Sequence, residues 1–260
     1  MEEVSQPIPK YYQIYEKLLG QIKNGKFEEF DRFYSDTELV EKFNVSRGTI
    51  RESVKLLIQQ GYLVRKQGKG TFVTKPKIEQ DSEKLMGFTE LMKKNDIKPA
   101  AKIVKNEIVD PPLKLINLID IDEKEKLVNI VRVRYGDDQP FIIERSYYNY
   151  DLFKPILDQD LEANSIYELL YNYTDTRLGE AKQQISAVSA SKEEVDLLGV
   201  KLDDPLLLMK RLIKTKSDEF FQYSEDVYRS DRINFGTTTK PYDKHHDNQG
   251  VPLGLENNGW

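Results

Sequence analysis

Arg132 and Arg134 stand two apart in residues 127–135, a run of β-prone alternation with Val128 and Ile130 on their side and Val131, Val133 and Tyr135 on the other. On a strand, both guanidinium groups leave the same face. Two arginines side by side repel each other unless an anion lies between them, and a phosphate gripped by two planar forks is the natural occupant. A pair tied to surface carboxylates is the plainer alternative. A second set of cations sits in a different geometry. Residues 45–61 place Ile50, Val54, Leu57 and Ile58 on one helical face, with Ser46 suited to cap the start and Gly61 to end the run. Arg47, Thr49 and Arg51 then begin the other face, at the leading end of a helix of roughly four turns. That is where a helix in the DNA major groove meets bases and phosphates.

Both sets need elements to hold them. Ser35, Asp36, Thr37 and Glu38 open a short helix that carries Leu39, Val40 and Phe43 inward until Asn44 breaks it. A short helix, a tight turn and a longer helix make a helix-turn-helix. Behind it, Tyr11, Ile14, Tyr15, Leu18, Leu19 and Ile22 predict a first helix over residues 10–23, stopped by Gly25. After it, residues 62–64 and 71–73 are β-prone runs joined by Arg65-Lys66-Gln67-Gly68-Lys69-Gly70, a basic, glycine-rich hairpin tip able to lie close to a phosphate. The whole is a winged module. An arginine-bearing helix face is commonly just solvated, but residues 42–77 hold nine basic side chains against one acid, Glu52, and so one-sided a segment is the footprint of phosphate contact.

The chain has 260 residues, enough for two domains, and its charge is split between them. Residues 1–78 carry net +4 and residues 79–260 net −9, so the overall −5 does not argue against DNA binding. With no cysteine, thiol catalysis, disulfides and cysteine-zinc sites are excluded, and the two histidines, His245 and His246, are neighbours that cannot build a triad or a metal site. No metal or cofactor is implied. No N-terminal run resembles a signal peptide and no apolar stretch approaches 18 residues, so a soluble, cytoplasmic protein without membrane contact is expected.

The expected domains are 1–74, a winged helix-turn-helix; 75–82, a polar linker; 83–236, an effector-binding and dimerisation domain; and 237–260, a flexible tail. In the third, residues 85–92 predict a short helix, 103–109 a strand, 113–119 a helix, and 127–135 with 141–148 a hairpin turned at Asp137-Asp138-Gln139-Pro140. A helix from Ser165, a strand over 184–190, a Ser191-capped helix and a second hairpin over 206–215 and 220–229 complete a mixed α+β order with antiparallel sheet.

Residues 35–39, 43–51 and 61–73 resemble the winged helix-turn-helix of the GntR family of bacterial transcription regulators. Tyr34 stands where that family usually has proline, and Thr37 where many members carry a DNA-contacting arginine. The expected DNA-contact set is therefore Ser35, Ser46, Arg47, Thr49, Arg51, Lys66, Gly68, Lys69 and Gly70. The second half resembles the HutC branch, whose UTRA effector domain has a chorismate-lyase-like fold, through residues 87–90, 131–134, 165–167 and 221–225 with Pro140, Glu144, Tyr147, Tyr228, Arg229, Asp231 and Arg232. Residues 164–168 and 221–225 look most like repressors of trehalose operons, which respond to trehalose 6-phosphate.

The resemblance implies an effector site of Phe88, Thr89, Arg132, Arg134, Glu144, Ser165, Tyr167, Glu225 and Tyr228. Phe88 and Thr89 would offer backbone amides and a hydroxyl to the anion, as would Ser165 and Tyr167 at a helix start. Glu144, Glu225 and Tyr228 would face sugar hydroxyls, although Tyr228 suits core packing equally well. The function expected is a homodimeric repressor of a sugar-utilisation operon, bound to a near-palindromic double-stranded operator and released by a sugar phosphate. An amino-sugar phosphate such as glucosamine 6-phosphate or N-acetylglucosamine 6-phosphate is the alternative effector. A chorismate-lyase-like enzyme gripping a carboxylate is a further alternative, for which no general acid–base pair stands out.

Overall fold

The computed structural model describes residues 8–119 and 121–239, and the expected tail lies almost wholly outside them. The chain forms two compact units that divide after Lys77.

In the first unit, α1 (Lys10–Lys23), α2 (Asp36–Phe43) and α3 (Arg47–Gln59) precede the hairpin β1 (Leu63–Lys66) and β2 (Gly70–Val73). The ends of these helices follow local chemistry. Ser35 caps α2 in a reciprocal box with Glu38, Asn44 ends it in the left-handed region at φ 48°, and Ser46 caps α3. The apolar faces of α1 and α3 bury Ile14, Leu18, Ile50 and Leu57 in one core with Leu39 and Leu63. The Ser53 hydroxyl in α3 donates to the Tyr11 carbonyl of α1 at 2.7 Å, which fixes their relative height.

The second unit begins at once with β3 (Ile78–Asp81), then α4 (Phe88–Lys94), β4 (Pro99–Val109), α5 (Leu113–Ile119), β5 (Leu127–Gly136) and β6 (Gln139–Asn149). After α6 (Tyr150–Phe153) and a 3₁₀ turn at Lys154–Ile156 come α7 (Ile166–Tyr173), β7 (Leu178–Ser189), α8 (Lys192–Leu198), β8 (Pro205–Thr215), β9 (Phe220–Arg229) and β10 (Ile233–Gly236). Six strands form an antiparallel sheet in the order β4-β5-β6-β9-β8-β7, while β3 and β10 pair in parallel as a separate ribbon. One sheet face packs Val128, Ile130 and Tyr148 against Phe153, Ile156, Ile166 and Leu170 of α6, the 3₁₀ turn and α7. Leu115 of α5 and Leu198 of α8 belong to the cores of the other face.

Four expected elements need correction. The linker expected over residues 75–82 does not persist to its end, because Ile78–Asp81 is the strand β3, with Ile78 buried among Met92, Met209, Tyr228 and Ile233. The helix expected over 85–92 starts instead at Phe88, with Gly87 at its N-cap. The strands expected over 103–109 and 184–190 begin earlier, at Pro99 and Leu178. β4 and β7 are the two edges of the sheet, where solvent dilutes the apolar alternation that marks a strand.

Candidate nucleic-acid interface and effector pocket

The first two turns of α3 present Arg47 and Arg51 to solvent, the latter with its side chain 69% exposed. Arg51 Nε lies 3.8 Å from Asp36 Oδ2, and Arg65 Nη2 of the wing donates to Asp36 Oδ1 at 3.1 Å. Asp36 thus orients one cation from the helix and one from the wing. Ser46 and Thr49 hydroxyls are 2.9 Å apart and Ser46 Oγ accepts from the Thr49 amide, so both groups shape the helix start. Ser35 is exposed and engaged in its own cap. In the wing tip, Gly68 and Gly70 take φ of +71° and +114°, which side chains rarely adopt. Lys66 lies over the Phe72 ring at 5.2 Å, and Lys69 is exposed. Arg32, which sequence reasoning missed, bridges to Phe72 and brings its guanidinium beside Gly70. No helical period or motif marks it; only the fold does.

In the second unit, Phe88, Thr89, Arg132, Arg134, Glu144, Ser165, Tyr167 and Tyr228 line one open-mouthed cavity of about 40 Å³. Glu225 is not among them. Successive strand residues alternate faces, so Tyr228, Asp226 and Ser224 share one face of β9 and Glu225 takes the other. There it pairs with Lys114, accepts from the Tyr223 hydroxyl at 2.8 Å, and lines a separate cavity with Asn129 and Arg145.

The arginine pair is buried, and its central anion is already present. Glu144 lies directly opposite Arg132 across the β5–β6 ladder. Its Oε2 accepts from Arg132 Nε at 3.1 Å and Nη2 at 2.7 Å, and lies 3.6 Å from Arg134 Nη1. The expectation that Glu144 simply faces sugar hydroxyls is thus incomplete. Burial pushes the Glu144 carboxyl up, but the two guanidinium groups outweigh it and hold the carboxyl below its ordinary value. Burial likewise works against the Arg132 cation, and the Glu144 charge more than restores it, whereas Arg134 ends lowered because burial and Arg132 together exceed the help from Glu144.

Arg132 Nη1 also donates to the Leu161 carbonyl at 2.8 Å, which completes its partners. Arg134 is left short. Its Nη2 donates to Thr89 Oγ1 at 2.7 Å, it lies 4.9 Å over the Phe88 ring, and its buried Nε has no acceptor. Buried donors without partners are rare, and Arg134 is one of the residues that line the cavity. The Thr89 hydroxyl, accepting from Arg134, keeps its own proton free to donate. Ser165, which accepts from the Glu168 amide as the cap of α7, does the same.

Several lining residues were not anticipated. Arg211 on β8 adds a third buried cation, and Asp226 a second buried carboxylate whose Oδ1 has no partner. Burial, reinforced by Glu144 and opposed by Arg211, pushes the Asp226 carboxyl up to about 7, and burial takes the Tyr167 phenol up to about 12. Tyr167 donates to Gln222 Oε1 at 2.9 Å, and Gln222 Nε2 to Ser146 Oγ at 3.1 Å. Gln80, from the stretch expected as linker, also lines the cavity. The available signal was the polar set Gln222, Ser224, Asp226 at period two inside a strand of otherwise buried residues. Three arginines against two carboxylates leave the cavity cationic, so it suits an anion that also carries hydrogen-bonding groups.

Residues 10–73 match the gntR family of bacterial regulatory proteins, and residues 94–234, more than half of the chain, match the UTRA domain. The chain belongs to the GntR family, with a UTRA domain as its second unit. This GntR regulator is 34% identical over 229 residues to the HTH-type transcriptional repressor NagR of Bacillus subtilis, covering 88% of its own length and 94% of that protein. It is 25% identical to the HTH-type transcriptional regulator TreR of the same organism, covering 88% and 96%. In fold it is similar to the crystal structure of PhnF from Mycobacterium smegmatis, with a TM-score of 0.75 over 88% of this chain and all of that one at 21% identity. The families and relatives matched are transcription regulators, so the protein is a DNA-binding transcriptional repressor and not an enzyme. Among its described residues, no helix is long and apolar enough to cross a membrane.

Proposed function

We propose that this repressor controls a sugar-utilisation operon in the cytoplasm as a homodimer on a near-palindromic operator, and that a phosphorylated sugar bound in the UTRA cavity releases it. The observation that carries this is the buried Arg134 Nε without an acceptor, in a cavity where three arginines face two carboxylates. A phosphate would accept from Arg134 and from the Thr89 and Ser165 hydroxyls, and the sugar hydroxyls would meet Asp226, Tyr228 and the other oxygen of Glu144. Trehalose 6-phosphate is the first candidate, on the resemblance of residues 164–168 and 221–225. A second reading, an amino-sugar phosphate, is supported by the unpartnered Asp226 Oδ1, which suits an ammonium or amide N–H. Coupling of about 1–3 kcal/mol between effector and operator would loosen DNA binding roughly 5- to 150-fold.

Thermal unfolding with trehalose 6-phosphate, free trehalose, glucosamine 6-phosphate and N-acetylglucosamine 6-phosphate tests the reading. At 100 times its dissociation constant a true ligand adds about 2.7 kcal/mol, which raises the midpoint of a unit of this size by roughly 5–10 °C. The phosphorylated sugar that gives this shift is the effector. No shift with any of them would refute the sugar-phosphate reading.

A further inference from the structure

Gln80 occupies the junction between the effector cavity and the chain that leads to the DNA-binding unit. It is 5% exposed and lines the cavity beside Met86, Gly87 and Arg134. Its backbone is held in the β3–β10 ladder opposite Phe235, and no hydrogen bond to its side-chain amide is found among the described residues, although the amide is not wholly cut off from solvent. A primary amide has two donors and one acceptor to satisfy, and this one belongs to a residue that lines the cavity.

The chain around it is anchored on both sides. Within the first unit, Thr74 N donates to the Tyr62 carbonyl at 2.9 Å, and Pro76 Cα packs so closely that a Cβ on Gly61 would come within 3.2 Å of it. Within the second unit, Ile78 N donates to the Arg232 carbonyl at 2.9 Å and the Ile78 side chain is buried. Lys77 alone separates the residues packed into one unit from those packed into the other. A shift of β3 therefore has almost no slack chain in which to be lost. The β3–β10 ribbon is only four residues long in each strand, and so short a pairing gives little resistance to such a shift.

We infer that Gln80 is both an effector contact and the residue through which occupancy of the cavity is passed to the DNA-binding unit. This rests on the sugar-phosphate reading above. A hydroxyl or phosphate oxygen of the effector takes up the free Gln80 amide, draws β3 against the cavity and sets the position of Thr74 to Lys77. The rest of the ligand is held by arginines and hydroxyls on β5, α4 and α7, which do not lead to the DNA-binding unit. Affinity and coupling are thereby separated onto different elements.

The test uses the full chain with Gln80→Leu and, as a second variant of nearly equal length, Gln80→Met, each first checked for a native far-UV circular dichroism spectrum. Calorimetric titration with trehalose 6-phosphate, glucosamine 6-phosphate and N-acetylglucosamine 6-phosphate gives affinity. Hydrogen–deuterium exchange over residues 74–81 and release of a duplex selected by the unmutated protein from a random pool give coupling. One lost hydrogen bond predicts that affinity falls by no more than about tenfold, while ligand-induced protection of residues 74–81 and duplex release are abolished at saturating ligand. Variants that still protect this segment and release the duplex as the parent does overturn the inference, as does a loss of binding beyond a hundredfold. If the parent protein itself binds none of these sugar phosphates, the preceding reading falls, and this one with it.

Discussion

Replacing Glu144 with glutamine keeps its size and removes the charge that lies between two buried arginines. Arg132 and Arg134 are 5% and 4% exposed in their side chains and Glu144 is 18% exposed. Breaking a buried ion pair by removing one partner costs about 3–5 kcal/mol, because the other charge is left uncompensated. The amide oxygen of glutamine still accepts from Arg132, which places the expected loss near the lower end, about 3 kcal/mol. At roughly 2–4 °C per kcal/mol for a unit of this size, the midpoint should fall by about 6–12 °C.

The pH dependence follows from the lowered Glu144 carboxyl. Its contribution is fully present above the unfolded value of about 4.3 and is lost as pH falls through the lower folded value. Parent and variant should therefore differ most from pH 6 to 8 and converge as the medium becomes strongly acidic. Thermal unfolding followed by circular dichroism in phosphate-free buffer measures this. Millimolar inorganic phosphate should restore part of the lost stability in the variant by supplying the missing anion, and should do less for the parent. A variant as stable as the parent at neutral pH, or one whose deficit does not change with pH, would refute the argument that Glu144 neutralises this pair.

Asp226, pushed up to about 7 mainly by burial, has the opposite sign. The folded state binds the extra proton between the ordinary carboxyl value near 4 and its raised one, so stability falls as pH rises through that window; Asp226→Asn should gain on the parent above pH 7 and match it near pH 4, as midpoints over pH 4–8 will show. On the DNA side, Arg51→Ala should weaken binding to a selected duplex roughly 5- to 150-fold if the guanidinium reads a guanine, worth about 1–3 kcal/mol. Lys66→Ala and Lys69→Ala should instead weaken all duplexes alike and each lower the salt slope of binding by about 1, measurable by fluorescence anisotropy across a salt series.

The DNA-binding unit was legible almost residue by residue. Its helices carry complete local signals, an apolar face at 3.6-residue spacing together with Ser35, Asn44, Ser46 and Gly61 at the ends, and each acts within a few residues along the chain. Less of the effector cavity could be read. Its walls come from β3, α4, β5, β6, α7, β8 and β9, so Gln80, Arg211 and Asp226 converge only once the sheet is assembled. Buried polar residues on separate strands look, in sequence, like any solvated ones. The misplacement of Glu225 had a simpler origin. It lies three positions from Tyr228, and an odd separation on a strand puts two side chains on opposite faces.

The sequence by itself determined that a winged helix-turn-helix is joined to an α+β effector domain, that the first is basic and the second acidic, and that Arg132 and Arg134 leave one face of a strand. What those arginines meet was decided by a tertiary detail. The two-residue turn at Asp137 and Asp138, both at positive φ, pairs Gly136 with Gln139 and Tyr135 with Pro140. Continued without interruption, that register would place Glu144 opposite Val131, on the face away from both arginines. A bulge between Arg134 and Tyr135 shifts the pairing by one residue, so that Arg132 meets Glu144 and Arg134 meets Ile142. No local preference of these residues specifies that bulge. It is selected because the β6 side chains must match the core on one face and the charged cavity on the other, and only the assembled sheet imposes both conditions.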